Sequence, residues 1–388
     1  MNIKEVVSSS DKKEFLMLPV RLYEKDKNWI RPLDKDIEKV FDPSENKYFQ
    51  HGECVRWILL DDNQKVIGRV AAFIDRKTAH TFEQPTGGMG FFECINDQNA
   101  ANKLMDTCKK WLQEKGMKAM DGPINFGDRL NWWGLLIDGF YEPNYCMPYN
   151  FKYYQPLFEN YGFKTYFQQY TYYRKLKEGT LDERLVRVAE RTFQNPDFHF
   201  EHFKKSNVEK YTRDFRTVYN KAWARHDGVD EMTQDQIEAT MKSLQPVLEE
   251  DLLWFAYYKG EPIAFFLMLP ELNQIFKHVN GKLDLIGKMK FLYHRWRGTC
   301  KKMFGVVFGV VPEFQSKGAA IAIIIKFYKI CWAPDFRYEE LEMNWIGDFN
   351  PKMMKVAESV GGSIRKTHVT YRKLFDEEKE FHRAPIMS

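Results

Sequence analysis

One stretch of this chain, from Phe304 to Tyr328, passes from a β-branched apolar run through a short polar turn into an apolar helix. Phe304 to Val311 is too short and too rich in valine for a helix, so we predict a strand buried on both faces. Pro312 ends the strand, because proline cannot donate a hydrogen bond to a neighbouring strand. Backbone groups at this end are therefore left to bind something else.

The turn after the strand is built of small and flexible residues: Gln315, Ser316, Lys317, Gly318, Ala319 and Ala320. Small residues let a ligand approach the backbone, and the first N–H groups of a helix point outward with the positive end of its dipole. Lys317 adds a positive charge. The turn suits a phosphate, although an ordinary strand, turn and helix with one glycine explains the same residues equally well.

The motif Gln315-x-x-Gly318-x-Ala320 resembles the Q/R-x-x-G-x-G/A pyrophosphate loop of the GNAT superfamily of acyl-CoA-dependent N-acyltransferases. The flanks agree, with a strand at 338–346, a helix at 351–360 and a last strand at 366–374. The resemblance implies that acetyl-CoA or another acyl-CoA is the co-substrate. The residues that it implies for binding are Gly309, Val310, Val311, Gln315, Ser316, Lys317, Gly318, Ala319, Ala320 and Asn350.

The composition bounds the class of protein. A chain of 388 residues with 44% hydrophobic content favours two packed domains over one. The net charge of only +4 argues against nucleic acid as a partner. The six cysteines show no C-x-x-C pair and no histidine at metal-ligand spacing, which predicts reduced thiols and no metal. The chain shows no signal peptide and no apolar run near the ~20 residues of a membrane helix, so we expect a cytoplasmic protein without a membrane partner.

The first half of the chain repeats the order of elements found around the turn. A hairpin at 55–74, a strand at 90–94, a helix at 99–115 and a short strand at 117–120 are predicted in series. Both halves also end alike, in Thr171-Tyr-Tyr-Arg-Lys-Leu176 and Thr370-Tyr-Arg-Lys-Leu374, which we interpret as an internal repeat. The predicted fold class is α/β with a mixed (α+β) sheet in two tandem GNAT-like modules, at 1–177 and 185–388.

The first module departs from the family pattern at the phosphate turn. The chain there reads Ile95-Asn-Asp-Gln-Asn-Ala-Ala101, which has no glycine and places Asp97 close to the expected phosphate. A like charge near a helix N-terminus disfavours an anion. We therefore expect the N-terminal module to be degenerate and the C-terminal module to bind the acyl-CoA.

An insertion at 121–150 in the first module is rich in aromatic and turn residues. Trp132 and Trp133 either fill an interface between the modules, the interpretation that we favour, or line a substrate pocket. The first interpretation predicts that both tryptophans and Phe140 are largely buried, partly against the C-terminal module.

Acylation of an amine makes known chemical demands. A lysine-like amine has a pKa near ~10.4, so freeing its lone pair at pH 7 costs about 4–5 kcal/mol and a base is expected. Glu342 and Asn344, at alternate positions of one predicted strand, are our candidates for the base or for substrate polarisation, and Glu271 with Asn273 for holding the amine. Charged residues at strand ends are, however, more often solvated or structural.

The proton donor of the family is not visible in this sequence. Many GNAT enzymes protonate the thiolate with a tyrosine of the last helix, and the alignment of Asn350 and Gly361 with that pattern places Ala357 there. His294 and His368 have no visible partner, so we expect packing or surface roles for both.

The resemblance extends over almost the whole chain to bacterial double-GNAT proteins of undefined substrate. It implies an N-acyltransferase, in the first place an N-acetyltransferase, that moves an acyl group onto a small-molecule or peptide amine by direct attack. The alternative is a non-catalytic protein that keeps the cleft to bind acyl-CoA or another small molecule. We expect a monomer or a homodimer.

Overall fold

A computed structural model describes residues 1–179, 181–223, 231–315 and 317–387. Within these residues thirteen strands form one continuous sheet. The strands are β1 Asn2–Glu5, β2 Gly52–Leu60, β3 Val66–Asp75, β4 Thr86–Cys94, β5 Ala119–Gly122, β6 Leu135–Asp138, β7 Lys164–Lys175, β8 Phe198–His202, β9 Leu253–Tyr258, β10 Glu261–Pro270, β11 Lys302–Val310, β12 Glu340–Gly347 and β13 Ser363–Leu374. The helices are α1 Ser9–Leu22, α2 Asp34–Val40, α3 Gln98–Glu114, α4 Tyr154–Asn160, α5 Glu183–Gln194, α6 Val208–Trp223, α7 Gln234–Leu244, α8 Asn273–Phe276, α9 Leu285–Trp296, α10 Ala319–Cys331 and α11 Pro351–Ser359.

The elements of the chain occur in two series of the same order. The first series is β1, α1, α2, β2, β3, β4, α3, β5, α4 and β7, and the second is β8, α6, α7, β9, β10, β11, α10, β12, α11 and β13. Strand β6 is inserted in the first series, and helices α8 and α9 lie between β10 and β11 in the second. The internal repeat predicted from the sequence is therefore present as two α/β modules.

The two modules exchange their last strands within the sheet. Its order is β1-β2-β3-β4-β5-β13-β7-β12-β11-β10-β9-β8, with β6 paired to β13. Strand β13 of the second module therefore pairs with β5 of the first, and β7 of the first pairs with β12 of the second. The buried guanidinium of Arg372 in β13 donates two hydrogen bonds, of 2.6 and 2.8 Å, to the carboxylate of Asp121 in β5. Backbone hydrogen bonds join the two halves of the chain in one sheet. The boundary between the modules, between residues 177 and 185, therefore stays a prediction.

Helices cover both faces of the sheet in each module. In the first module α3 and α4 pack on one face, around Leu104 and Phe158, and α1 packs on the other, around Phe15. In the second module α10 packs on one face, around Ile323, and α6 with α7 on the other, around Phe215. These layers leave the shared strands at the centre of the molecule, where the candidate site lies.

Side chains cap the N-termini of α1 and α9. Ser8 is the N-cap of α1, since its Oγ accepts from Asp11 N while the Asp11 carboxylate accepts from Ser8 N. Asp284 is the N-cap of α9, and its side chain accepts from Gly287 N at 2.8 Å. No helix of the described residues combines the length and apolar character that crossing a bilayer requires.

Candidate active site

The C-terminal module has a wedge-shaped opening between two parallel strands. Strands β11 and β12 pair from Lys302 and Glu340 only as far as Gly305 and Met343, whereas β11 stays paired with β10 up to Val310. Residues 304–308, at and just beyond this point, are half-buried. The expectation of a strand buried on both faces is wrong here, because β12 diverges and uncovers one edge of β11.

The uncovered edge of β11 presents backbone groups to the wedge. Val311 N donates to Ile263 O of β10 at 2.9 Å, so this N–H is already used. Because backbone groups alternate along a strand, the N–H and C=O of Val310 face the opposite way, into the wedge. Gln315 Nε2 lies 3.4 Å from Val310 O on that side. Of the three residues Gly309, Val310 and Val311, Val310 is the one whose backbone faces the opening.

The turn at the start of α10 keeps the features expected of a phosphate site. Gly318 is the N-cap with φ of +79°, a conformation that favours glycine, and it has no side chain to cap the helix. Lys317 is exposed with its Nζ 4.7 Å from the centre of the Phe314 ring. Ala319 is buried and Ala320 half-buried, so the first residues of the helix have only small side chains beside their N–H groups. Ser316 lies outside the described residues.

The equivalent turn of the first module differs in the cap of its helix and in the pairing of the strand before it. Asp97 caps α3, with its Oδ1 accepting from Ala100 N at 2.7 Å, so a carboxylate occupies the helix N-terminus. The chain after β5 also stays on the edge of β4, since Ile124 N donates to Met89 O at 2.8 Å. A side chain at Gly90 would lie 1.9 Å from Ile124 O. The first module therefore has neither a free helix end nor an open wedge at this place.

A buried charge cluster lies beside the point where β11 and β12 diverge. Glu342 is fully buried, and its carboxylate accepts from Lys366, from Thr171 Oγ1 at 3.1 Å and from Lys302 Nζ at 3.1 Å. Lys302 also donates to Asn144 of the insertion. These groups come from β12, β13, β7, β11 and a loop of the first module, so both modules build the cluster.

The cluster shifts the pKa values of its members. Burial alone raises the pKa of a carboxyl, but Lys366 and Lys302 outweigh it and bring the pKa of Glu342 to about 2. Burial also opposes the charged form of both lysines. Glu342 and Glu271 overcome this for Lys302, whose pKa is raised, whereas the pKa of Lys366 is lowered by burial and by Lys302. Glu342 is therefore an anion at neutral pH with its oxygens engaged.

The other candidate residues lie around this cluster. Asn344 is half-buried at the divergence, with its Nδ2 3.5 Å from Val306 O and its Oδ1 accepting from Trp345 N. Glu271 is buried and accepts from Tyr145 N at 2.7 Å and from Asn273 N at 3.1 Å, and burial raises its pKa. Asn273 Nδ2 donates to Pro143 O of the insertion at 2.9 Å. Glu271 and Asn273 therefore hold the insertion in place, and their contact with an amine stays a prediction.

The insertion fills the junction between the modules, as the favoured interpretation predicted for Trp133. Trp133 is buried, with its ring centre 5.5 Å from that of Trp345 and 4.7 Å from that of His368. Trp132 and Phe140 are only half-buried. His368 is fully buried, which lowers its pKa to about 3, and its Nδ1 has no partner among the described residues. The packing role expected of His368 is therefore confirmed, in a neutral state.

Ala357 occupies the position at which the family resemblance implies a catalytic tyrosine. Ala357 is buried in α11, so a larger side chain would have to displace its neighbours. Tyr172 of β7 lies opposite Met343, the last residue of β12 that pairs with β11. Its hydroxyl is buried without a partner in the described structure, and burial raises its pKa to about 12. Tyr172 is thus a protonated hydroxyl near the divergence.

Sequence reasoning missed several residues of this site: Lys302, Lys366, Asn144 and Tyr172. One usable signal was the last strand, where Lys366, His368 and Thr370 alternate and place polar groups on one face of a central strand. Asn350 lies at the start of α11, where its Oδ1 accepts from Met353 N at 3.2 Å. Within the described ranges, no group of three or more His, Cys, Asp or Glu is placed to hold a metal ion.

Comparison with known proteins gives two full-length relatives and no matching protein-family profile. "Bacterial ceramide synthase" of Caulobacter vibrioides is 27% identical over 380 residues, covering 96% of this chain and 97% of that protein. "Protein YghO" of Escherichia coli is 24% identical over 374 residues, covering 96% of this chain and 95% of that protein. The likeness therefore extends through both modules.

Solved structures share the architecture at low sequence identity. A tandem GNAT protein from the clavulanic acid biosynthesis pathway superposes with a TM-score of 0.55 at 7% identity, covering 96% of this chain and 98% of that one. A GCN5-related N-acetyltransferase from Sphaerobacter thermophilus gives 0.51 at 10% identity, covering 96% of each chain. A glucosamine N-acetyltransferase region of a fungal multi-domain protein gives 0.57 at 13% identity, and this chain spans 38% of that protein. The chain has the GNAT fold, in two tandem modules.

Proposed function

We propose that the chain is an N-acyltransferase that moves an acyl group from acyl-CoA to a primary amine by direct attack, with the C-terminal module as the donor site. The observation that carries this proposal is the wedge beyond Gly305 and Met343, which leads to an α10 N-terminus without a side-chain cap. The GNAT fold of the chain supports it. The first module, with Asp97 on its equivalent helix, would not bind the acyl-CoA.

The donor site would use backbone groups more than side chains. The N–H groups at Ala319 and Ala320, with the charge of Lys317, suit the pyrophosphate. The N–H and C=O of Val310, on the open edge of β11, would hydrogen-bond an amide of the pantetheine arm, in the way that an extended peptide pairs with an exposed strand. The thioester supplies an activated acyl carbonyl, and an N–H donor at the edge of β11 would stabilise the oxyanion that forms there.

The reaction needs an uncharged amine. The amine nitrogen attacks the carbonyl carbon, the C–S bond breaks, and the sulfur leaves as a thiolate that takes up a proton. Glu342, with a pKa of about 2, is better suited to hold Lys302 and Lys366 in place than to accept a proton. An ammonium bound beside these lysines would have its own pKa lowered, which increases the fraction of neutral amine. Asn344 would orient the amine.

Tyr172 is our proposed proton donor to the thiolate. A neutral buried hydroxyl has a proton to give, and the Tyr172 hydroxyl has no partner among the described residues to which it is committed. It reaches this place because β7 of the first module lies next to β12 of the second. The strand exchange would in this way supply the group that Ala357 lacks.

The acceptor is, in our proposal, a long-chain amino alcohol. A ceramide is such an amino alcohol acylated on its nitrogen, and the Caulobacter relative is named a ceramide synthase. The same reasoning favours a long acyl chain over acetyl. Acetyl-CoA and small amines remain the comparison substrates, as the motif at Gly318 does not select chain length.

Calorimetry and thiol release test this function together. The full chain would be titrated with acetyl-CoA, palmitoyl-CoA and CoA, and then assayed for CoA thiol release with a long-chain amino alcohol and with a lysine peptide. We expect binding of palmitoyl-CoA and release with the amino alcohol. Binding without release for any amine would favour the non-catalytic alternative, and absence of binding would reject both. A feature in favour of that alternative is the packing of α5 on the turn, since a Cβ at Gly318 would lie 2.7 Å from Thr192 Oγ1.

A further inference from the structure

Helix α9 carries a concentrated exposed apolar surface. Seven of the sixteen exposed large apolar side chains in the described structure lie between residues 283 and 296. They are Leu283, Leu285, Ile286, Met289, Leu292, Tyr293 and Trp296. Trp296 is 83% exposed and Leu285 75%. Single exposed apolar residues are ordinary, but a contiguous patch of this kind marks an interaction surface.

The apolar side chains form one stripe along the helix. At about 100° per residue, Leu285, Met289, Leu292 and Trp296 fall within an arc of about 60°. The opposite side of α9 faces the protein: the Phe291 ring centre lies 5.7 Å from that of Phe276, and the His294 ring stacks on His278 at 3.9 Å. The helix is therefore anchored by its inner face and presents a defined outer face.

Positive charges flank the stripe on both sides. On the same helical projection, Lys288 and Arg295 lie along one border of the stripe, and Lys290 and Arg297 along the other. Residues 282–301 contain six Lys or Arg and one Asp, a net of +5, whereas the whole chain carries only +4. In the described part of the chain, Lys288 and Lys290 make no ion pair with an acidic side chain. The charges of the rest of the chain therefore sum to −1, and the net positive charge of the protein lies in this segment.

We propose that the outer face of α9 binds the surface of an anionic lipid bilayer. A short helix with an apolar stripe, a tryptophan at one end and basic residues along both borders lies in the plane of the interface, with the stripe among acyl chains and the cations among headgroups. Twelve residues, about 18 Å of helix, are too short to span the ~30 Å hydrocarbon core. The expectation of no membrane partner, drawn from the lack of a spanning segment, is replaced by this proposal.

Charge complementarity favours a bilayer over a second copy of the chain. Two copies of α9 packed face to face would bring like charges together along both borders, which disfavours that interface. A bilayer containing anionic lipid offers negative charge along the whole length of the helix. The proposal does not rest on catalysis, because a chain without turnover would bind in the same way.

The position of α9 connects the bilayer to the candidate site. The helix lies in the insertion between β10 and β11, and a short segment leads from it to Lys302. Cys300 in that segment donates to the backbone O of Glu271 at 3.4 Å, and Lys302 pairs with Glu342. A lipid-bound helix would therefore place the acceptor side of the cleft next to the membrane surface.

Vesicle sedimentation tests the proposal on the full chain. Vesicles of phosphatidylcholine alone and of phosphatidylcholine with an equal part of phosphatidylglycerol would be compared. We expect the parent protein to sediment with the anionic vesicles and to be released by salt. Leu292→Glu/Trp296→Glu and Lys288→Glu/Lys290→Glu should each lower the partition coefficient by at least about tenfold. The altered side chains are exposed, so the unfolding midpoints should match that of the parent.

Matched controls separate this face from general charge and hydrophobicity. Lys103→Glu/Lys110→Glu on α3 and Trp332→Glu after α10 change exposed residues of the same kinds and should leave vesicle binding unchanged. With brominated phosphatidylglycerol, quenching of tryptophan fluorescence should be lost in Trp296→Phe. The proposal is overturned if the parent ignores both vesicle types, or if α9 variants and controls bind alike. A dimer that Trp296→Glu dissociates, without vesicle binding, would assign the face to self-association instead.

Discussion

The replacement Glu342→Gln tests whether the buried cluster is a source of stability. The change keeps the shape of the side chain but removes the anion, and leaves Lys302 and Lys366 without their shared partner. The pKa of Glu342 lies at about 2 instead of its ordinary 4.5. At ~1.36 kcal/mol per pKa unit, this shift makes the ionised form of Glu342 worth about 3 kcal/mol at neutral pH. We therefore expect the free energy of unfolding to fall by about 3 kcal/mol at pH 7, in line with the ~3–5 kcal/mol cost of breaking a buried ion pair.

The same shift fixes the direction of the pH dependence. Because the folded-state pKa of Glu342 is lower than the unfolded one, its contribution is complete above about pH 4.5 and is lost as the pH falls toward about 2. The gap between parent and Glu342→Gln should accordingly narrow on acidification. Urea unfolding followed by tryptophan fluorescence at pH 7 and at about pH 3 measures this narrowing.

Two further variants make the measurement specific. Glu339→Gln removes an exposed carboxylate 3.8 Å from Lys301 and should cost less than about 1 kcal/mol. Glu342→Gln/Lys366→Met also removes one of the two stranded cations, while Lys302 keeps its hydrogen bond to Asn144, and should recover most of the loss. A loss for Glu342→Gln no larger than that for Glu339→Gln, or a gap that does not narrow in acid, would refute this account of the cluster.

Three other predictions concern the proposed donor site. Gly318→Asp forces a non-glycine residue into a left-handed conformation that costs ~1–2 kcal/mol and adds a negative charge, so CoA affinity in calorimetry should fall at least about 100-fold; Lys317→Glu should weaken it with an unchanged fold, and Asn99→Asp at the other turn should have no effect. Tyr172→Phe should keep the unfolding midpoint but lower kcat for thiol release about 10²–10⁴-fold, and an unchanged kcat would reject Tyr172 as the donor. Ala357→Tyr should overpack α11, cost ~1–3 kcal/mol in urea unfolding and bring no gain in rate, whereas a faster, stable variant would show that the ring fits.

Local features of the sequence predicted much of the second module. The valine-rich strand, Pro312 and the Gly318 turn were placed correctly, because strand propensity, a missing N–H donor and a positive φ are properties of a few neighbouring residues. The absence of glycine and the presence of Asp97 likewise predicted a different turn in the first module. Helix α9 was not predicted, because Gly287 and several basic residues interrupt the helical spacing of its apolar residues.

The sequence by itself determined that the chain repeats one α/β module twice and where the Gly318 turn lies, since both follow from short-range patterns. Only the tertiary structure decided that the last strands are exchanged, because pairing between β5, β13, β7 and β12 depends on register between distant segments. It also decided that Glu342 meets Lys302 and Lys366, and that Tyr172 lies beside Met343, since each residue reaches the site from a different strand. The exposure of the α9 stripe was also decided by the tertiary structure. An apolar helical face has the same sequence pattern whether it packs against another element or faces solvent.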